Sequence, residues 1–432
     1  MEDRETISKS IYRCITLIMI GYTFLTLIRW IAKACILNIR YDSYSVTEFL
    51  INYQGGYVRR GLMGEILYQL ARIFPSIDSR YYIVSICVIS FCVFAWFLIS
   101  HFRANNLCWW FLPLNICVLG ADFIRKDFIS CVFIMLILAL YTKINSQWLR
   151  ILVCSSCLIL SLNIHECVFF MIVPFIVLLY MRDTGYHFFH RLIGISAPIV
   201  CMSIVGSYKG DKQIAQSIWN SWGFMYNSFS FISPKSSIEA IGWETLETIE
   251  FHIRSNFMTQ FGIIYGWYSK PLIWILILFT LPNILFINRN WKNNKSAPDI
   301  TRMLSIMIFQ FLSLLPMFTV LSCDGCRGCF YWTVSSLLIY FCIPHSVYLR
   351  IAPQILTKTA SFLQKTIFFR KSYIVSIVLM LFICITPYGT SRKSLMHSVI
   401  GTYAQTCYLS LKFAGIIPKD IQFPILDIPK KD

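Results

Sequence analysis

Charge is what this sequence has least of. Asp, Glu, Lys and Arg make up 14% of its 432 residues, against 57% hydrophobic and 16% aromatic, with a mean hydropathy of +0.63. Soluble globular domains are far less apolar, so the scarcity excludes that class and leaves a polytopic membrane protein. Also lacking are a P-loop, a dinucleotide-binding glycine fingerprint, an H-E-x-x-H pair and a nucleophile elbow, which argues against ATP hydrolysis and nicotinamide chemistry; no cofactor is expected. Internal repeats, low-complexity tracts and long flexible linkers are missing too, so residues 1–432 read as one integral membrane domain. Acids are scarcer than bases, 21 against 38, giving a net charge of +17. The cations sit in short clusters between apolar runs, as the positive-inside rule requires, and report topology rather than nucleic acid. Most of the 17 cysteines, among them Cys87, Cys131 and Cys154, lie inside apolar runs and act as small hydrophobes.

The expected fold is an all-α transmembrane helix bundle of about 11 spans (10 to 12), near 14–37, 81–100, 107–121, 128–143, 151–164, 167–181, 192–207, 270–288, 303–321, 331–349 and 373–388. The first run follows Arg4, Lys9 and Arg13 and lacks a small-residue cleavage site, which predicts a retained anchor rather than a signal peptide. With a cytoplasmic N-terminus, the inner loops carry Arg103, Lys143, Arg150, Arg182, Arg191, Arg289, Arg302, Arg350 and their neighbours. Only the C-terminal segment 389–432, with Arg392, Lys412 and Lys430, conflicts; a further span or a re-entrant segment would repair it. The outer face then holds a first loop, 38–80, and a longer one, 208–260. In the first, Leu62, Ile66, Leu70 and Ile73 share one helical side and Glu65, Tyr68, Gln69 and Arg72 the other, predicting an amphipathic helix lying at the interface. In the second, Trp219, Trp222 and Trp243 suit an interface layer better than a sugar-stacking surface.

Four polar clusters fall on that outer face. In Asn52–Glu65 a glycine pair precedes Arg59 and Arg60, whose guanidiniums either snorkel to lipid headgroups or hold a phosphate together with Glu65. In the turn Asp122–Asp127, Asp122 and Arg125 are spaced for pairing across one helical turn, beside Lys126. It reads either as a solvated hairpin or as a partnered site, because charges this close to hydrocarbon are costly alone. His165 and Glu166, after Asn163, place an imidazole and a carboxylate side by side where either could take a proton from a hydroxyl. The bland alternative is a satisfied core histidine. Cys323–Cys329 has C-x-x-C-x-x-C spacing, read as a disulfide or small residues in a tight turn rather than a metal site, with Asp324 and Arg327 repeating the acid-to-arginine spacing. No metal is expected.

This pattern suits a lipid-linked, phosphorylated substrate. Arg59, Arg60, Arg125, Lys126 and Arg327, with Glu65, form the expected pyrophosphate site, and His165, Glu166 and Asp324 the expected catalytic groups. The Gly-Gly-Tyr-Val-Arg-Arg-Gly-Leu-Met-Gly-Glu stretch, the Ile-Arg-Lys-Asp turn, the His-Glu pair and the Asp-x-x-Arg turn resemble the polar marks of bacterial Wzy-type O-antigen and surface-polysaccharide polymerases. The resemblance spans most of the chain to about residue 332. It implies a multi-pass inner-membrane glycosyltransferase of lipopolysaccharide biosynthesis, joining undecaprenyl-pyrophosphate-linked oligosaccharides at the periplasmic face among membrane lipids, with a chain-length regulator as partner and no nucleic acid. The nearest rival is a multi-span transferase that adds one sugar from a lipid-phosphate donor, using an acid of the first outer loop, Asp42 or Glu48, as base. A flippase ranks third, because charges inside the spans, such as Arg29 and Lys33, are few.

Overall fold

A computed structural model of the chain describes residues 44–101, 124–225 except 184, 236–260, 300–366 except 323 and 324, and scattered positions within 14–28, 274–278 and 403–418. The described residues are all-helical. They form α1 (Tyr44–Leu50), α2 (Gly61–Ile73), α3 (Ser79–His101), α4 (Asp127–Lys143), α5 (Gln147–Ile164), α6 (Cys167–Arg182), α7 (Phe188–Ser207), α8 (Lys212–Ser221), α9 (Thr245–Gln260), α10 (Ile300–Thr319), α11 (Gly325–Cys342), α12 (His345–Ile351) and α13 (Gln354–Thr366). Among the described residues, four stretches are long and apolar enough to cross a membrane: Ser79–Phe97, Gln147–Ile164, Phe188–Ser207 and Ile300–Thr319. The expected spans near 14–37, 107–121, 270–288 and 373–388 lie wholly or largely outside the described residues, as do Asp42, Asp122, Asp324 and most of 389–432.

The expected span 331–349 is broken. Arg327–Cys342 and His345–Ile351 meet at 113°, and the cause is Pro344, which cannot donate to the helix and pushes Ile343 out of the helical region. Counted as one span, the pair makes a fifth. The carbonyls freed at such ends are met by the arginines of the basic loops. Arg302 donates to Tyr340 and Ile343 at the end of α11, Arg182 to Ile351 and Ala352 after α12, and Arg150 to Ile144 after α4. The basic end of the bundle is therefore also where cationic side chains complement helix C-termini.

At the opposite end α1 leads into α2, the helix expected over Leu62–Ile73. The buried face of α2 carries Gly61, Met63, Gly64, Leu67, Tyr68 and Ala71, whereas Ile66 and Ile73 are exposed. Small residues face inward because the helix packs backbone to backbone, the usual way of gaining contact in an apolar solvent. A Cβ on Gly64 would stand 1.8 Å from the Ile51 carbonyl oxygen. Gly64→Ala should accordingly lower the thermal unfolding midpoint in detergent, with a loss of about 3 kcal/mol. Gly206→Ala, where a Cβ meets nothing within 4 Å, is the control expected to be neutral or slightly stabilising.

The described parts of the segment 208–260, 208–225 and 236–260, contain α8 and α9 and form a cap rather than an open loop. Trp219 and Trp222 are completely buried in it, contrary to the expected interface layer; only Trp243 keeps substantial exposure. The Trp222 indole donates to the Leu50 carbonyl at 2.9 Å, satisfying the exposed end of short α1. Ser237 donates to Thr47 Oγ1 and to the Tyr44 carbonyl, and Asn52 Nδ2 to Ser221 Oγ. A seven-residue helix could not hold itself; the cap holds it.

Candidate functional site

α1 is fixed so firmly that it keeps an acid where none would otherwise stay. Val46 through Leu50 are all buried, and Glu48 among them is wholly inaccessible. Neither Glu48 oxygen accepts a hydrogen bond among the described residues. Three cationic groups face it at longer range: His165 Nε2 at 3.4 Å, Arg60 Nη1 at 3.7 Å and Arg327 Nη2 at 3.9 Å. Burial alone raises a carboxyl pKa, but the His165 ring beside it and the charges of Arg327 and Arg60 outweigh it and hold Glu48 well below the usual range.

The glycine-arginine turn delivers Arg60. Gly56 takes φ of +118°, closing a turn on the Tyr53 carbonyl, and the Arg59 amide is held by the Tyr208 carbonyl at 3.0 Å. Arg60 itself is left-handed, φ +64°, the one non-glycine of that kind among the described residues. That geometry costs about 1–2 kcal/mol and persists because Lys126 Nζ, entirely buried, grips the Arg60 carbonyl at 2.9 Å. The Arg60 guanidinium engages Glu166 through Nε, at 2.9 and 2.7 Å, and through Nη2. Glu166 caps the start of α6, and the pairing keeps it ionised far below the ordinary range despite a burial that favours protonation.

A second arginine closes the other side. Arg327 reaches Asp127, the buried first residue of α4, at 3.1 to 3.3 Å, and Tyr331 donates its hydroxyl to the same carboxylate. Arg327 Nη2 also lies 2.9 Å from His165 Nε2, while the Cys167 amide donates to Nδ1 at 3.2 Å. Those donors favour a neutral ring, whereas Glu48 and Glu166, at 3.4 and 3.7 Å, favour a charged one. Burial lowers the imidazole pKa, but Cys167 and the Glu48 carboxylate push it up to about 9. Burial likewise draws the Lys126 ammonium down, to about 8, against the pull of Glu48 and Glu166.

The expected site residues divide accordingly. Arg60, Lys126, His165, Glu166 and Arg327 converge, from chain positions up to 200 residues distant from their partners. Arg59 is half-buried at the rim, its guanidinium in no hydrogen bond or ion pair among the described residues. Arg125 lies over the Tyr44 ring, 5.7 Å from its centroid. Glu65 stays apart from the cluster; it accepts from the Tyr53 amide and from Gln54 and Gln69, pinning the turn. Asp324 lies outside the described residues, and Arg327 takes Asp127 as partner. Asp127 entered from sequence only as the end of the second cluster, without a role, Tyr331 was not singled out, and Glu48 entered only through the rival reading. The available signal was a lone acid inside an apolar segment, Val46 to Ile51, which is costly without partners.

Among the described residues, Glu48, Asp127 and Glu166 are balanced by Arg60, Arg327 and Lys126, and His165 and Arg59 add positive charge suited to an anion. Among the described residues no group of three or more His, Cys, Asp or Glu side chains is arranged to hold a metal ion. No protein-family model, curated protein or solved structure matches the chain.

Proposed function

We propose that this protein is a membrane glycosyltransferase that takes sugars from a lipid-linked phosphate donor, working in the form the sequence resemblance implies: polymerisation of undecaprenyl-pyrophosphate-linked repeat units at the non-cytoplasmic face of a bacterial inner membrane. The observation that supports it is Glu48, a buried carboxylate with both oxygens free of hydrogen bonds, ringed by cations. Glu166 and Asp127 have their lone pairs engaged by arginines, and both His165 ring nitrogens already face donors, the Cys167 amide and the Arg327 guanidinium, which favours Glu48 over His165 as the base.

In this reaction the acceptor hydroxyl gives its proton to Glu48 and its oxygen attacks the anomeric carbon. The bond from that carbon to the phosphate oxygen breaks, and the leaving lipid phosphate keeps the electron pair, its charge met by Arg59 and the surplus cation of the pocket. A base held at so low a pKa is weak. When the donor's phosphate competes for Arg60 and Arg327, their pull on Glu48 weakens and its basicity rises, so proton transfer is coupled to donor binding.

A second reading, addition of a single sugar, draws support from the position of Glu48 in the first outer segment, where that class places its base. Deleting the gene and resolving the surface polysaccharide by gel separates the two: single-repeat chains support polymerisation, a core lacking one sugar supports single addition, and an unchanged ladder overturns both. Arg59→Gln should raise the donor KM about 10- to 100-fold with normal folding. Arg60→Gln should instead reduce the yield of folded protein, because it leaves Glu166 and Glu48 buried with too little countercharge. Detergent extraction with size-exclusion chromatography, run beside the transfer assay, checks both.

A further inference from the structure

We propose that the apolar groove between α6 and α7 seats the polyprenyl tail of the donor; this rests on the lipid-linked reading and names where its lipid lies. Two hollows of about 360 and 460 Å³ adjoin along these helices and share Met181 and Ile199 as lining residues. Their α6 wall is a stripe at four-residue spacing, Phe169, Val173, Val177 and Met181. Residues three and four apart share a helix face, and Phe169 follows Glu166 by three, so the stripe starts within one turn of the residue that holds Arg60. From Phe169 to Met181 the groove runs about 18 Å, at about 1.5 Å per residue. Its upper hollow is closed by Phe309 of α10 and is almost wholly apolar.

Two adjoining apolar hollows of this kind, starting within a turn of the anion site, fit one long hydrocarbon chain whose phosphate sits at the charged end. The competing occupant is an ordinary phospholipid lying the other way. Arg191 closes the lower hollow, with Nη2 donating to the Asp183 carbonyl and a buried Nε that has no hydrogen bond among the described residues. Continuity with Glu166 decides for the polyprenyl chain, because a headgroup at Arg191 would leave the groove's start within a turn of the cluster without a role.

The test is photolabelling of the purified full chain in nanodiscs with a benzophenone-bearing polyprenyl phosphate, followed by peptide mapping. Expected are adducts on α6 and α7, competed by undecaprenyl phosphate but not by dioleoyl phosphatidic acid, and reduced about fivefold or more in Val177→Trp and Ile199→Trp but not in Arg191→Gln. Equal competition by phosphatidic acid, loss of label in Arg191→Gln, or adducts elsewhere would overturn the proposal. The wild-type mapping needs no variant to fold. If labelling is as expected while gene deletion leaves the polysaccharide unchanged, the transferase reading fails and the groove stands. If the deletion phenotype appears but the tryptophan variants label and transfer normally, the groove fails and the transferase reading stands.

Discussion

Glu48→Gln should lower sugar transfer about 10³-fold at saturating donor while leaving the amount of folded protein unchanged. The substitution is isosteric and removes a buried charge, so the desolvation cost it relieves offsets the contacts with Arg60, His165 and Arg327, all of which lie beyond 3.3 Å. Those cations keep Glu166 and Asp127 as bonded partners. The loss should fall on kcat rather than on donor KM, because removing a negative charge from an anion site does not weaken anion binding. His165→Gln should cost far less, about tenfold, since the imidazole tunes Glu48 rather than taking the proton. A larger loss in His165→Gln than in Glu48→Gln would return the base to His165. The pH profile supplies a second check. His165, with its pKa near 9, and Lys126, near 8, are cations below those values and neutral above them. Donor binding should therefore weaken as pH rises from about 7.5 to about 9.5, seen as an increase in KM.

How much of this was legible in the sequence depends on the range of the interaction. Alternation of apolar runs and basic loops correctly placed Arg60, His165, Glu166 and Arg327 at one end of the bundle, because topology follows from local composition. It could not choose partners. The i, i+3 rule paired Asp122 with Arg125 and Asp324 with Arg327, pairings that lie outside the described residues, and had nothing to say of the distant ones: Arg327 reaches an acid 200 residues away and Arg60 one 106 residues away. Helical periodicity found α2 and its apolar stripe, of which Ile66 and Ile73 are exposed, but it did not find the packed face, which the small Gly61, Gly64 and Ala71 mark. Composition marked the tryptophans of 208–260 as interfacial. It gave no hint that Trp219 and Trp222 would be buried, with the Trp222 indole just after α8 bonded to the Leu50 carbonyl of the helix that carries Glu48.

Arg327→Met should be the most destabilising single change at the site, and its rescue distinguishes structure from chemistry. Arg327 is the only residue seen to hydrogen-bond Asp127 through nitrogen among the described contacts; Tyr331 supplies the hydroxyl. With the guanidinium gone, a fully buried aspartate is left with one neutral donor, and Glu48 loses one of three facing cations. Removing one partner of a buried ion pair costs about 3–5 kcal/mol, much more than the pair is worth against an apolar replacement. The double variant Arg327→Met with Asp127→Asn should recover most of that loss, because the carboxamide still accepts from Tyr331 and no unpaired charge remains. Thermal unfolding of the wild type, the two single variants and the double variant measures the coupling. Activity should not return with stability: without Arg327 the pocket lacks the cation that lies against both Glu48 and His165, and a donor phosphate has no second guanidinium to compete for. A double variant that is stable and fully active would reduce Arg327 to a structural partner of Asp127 and confine the anion site to Arg59 and Arg60.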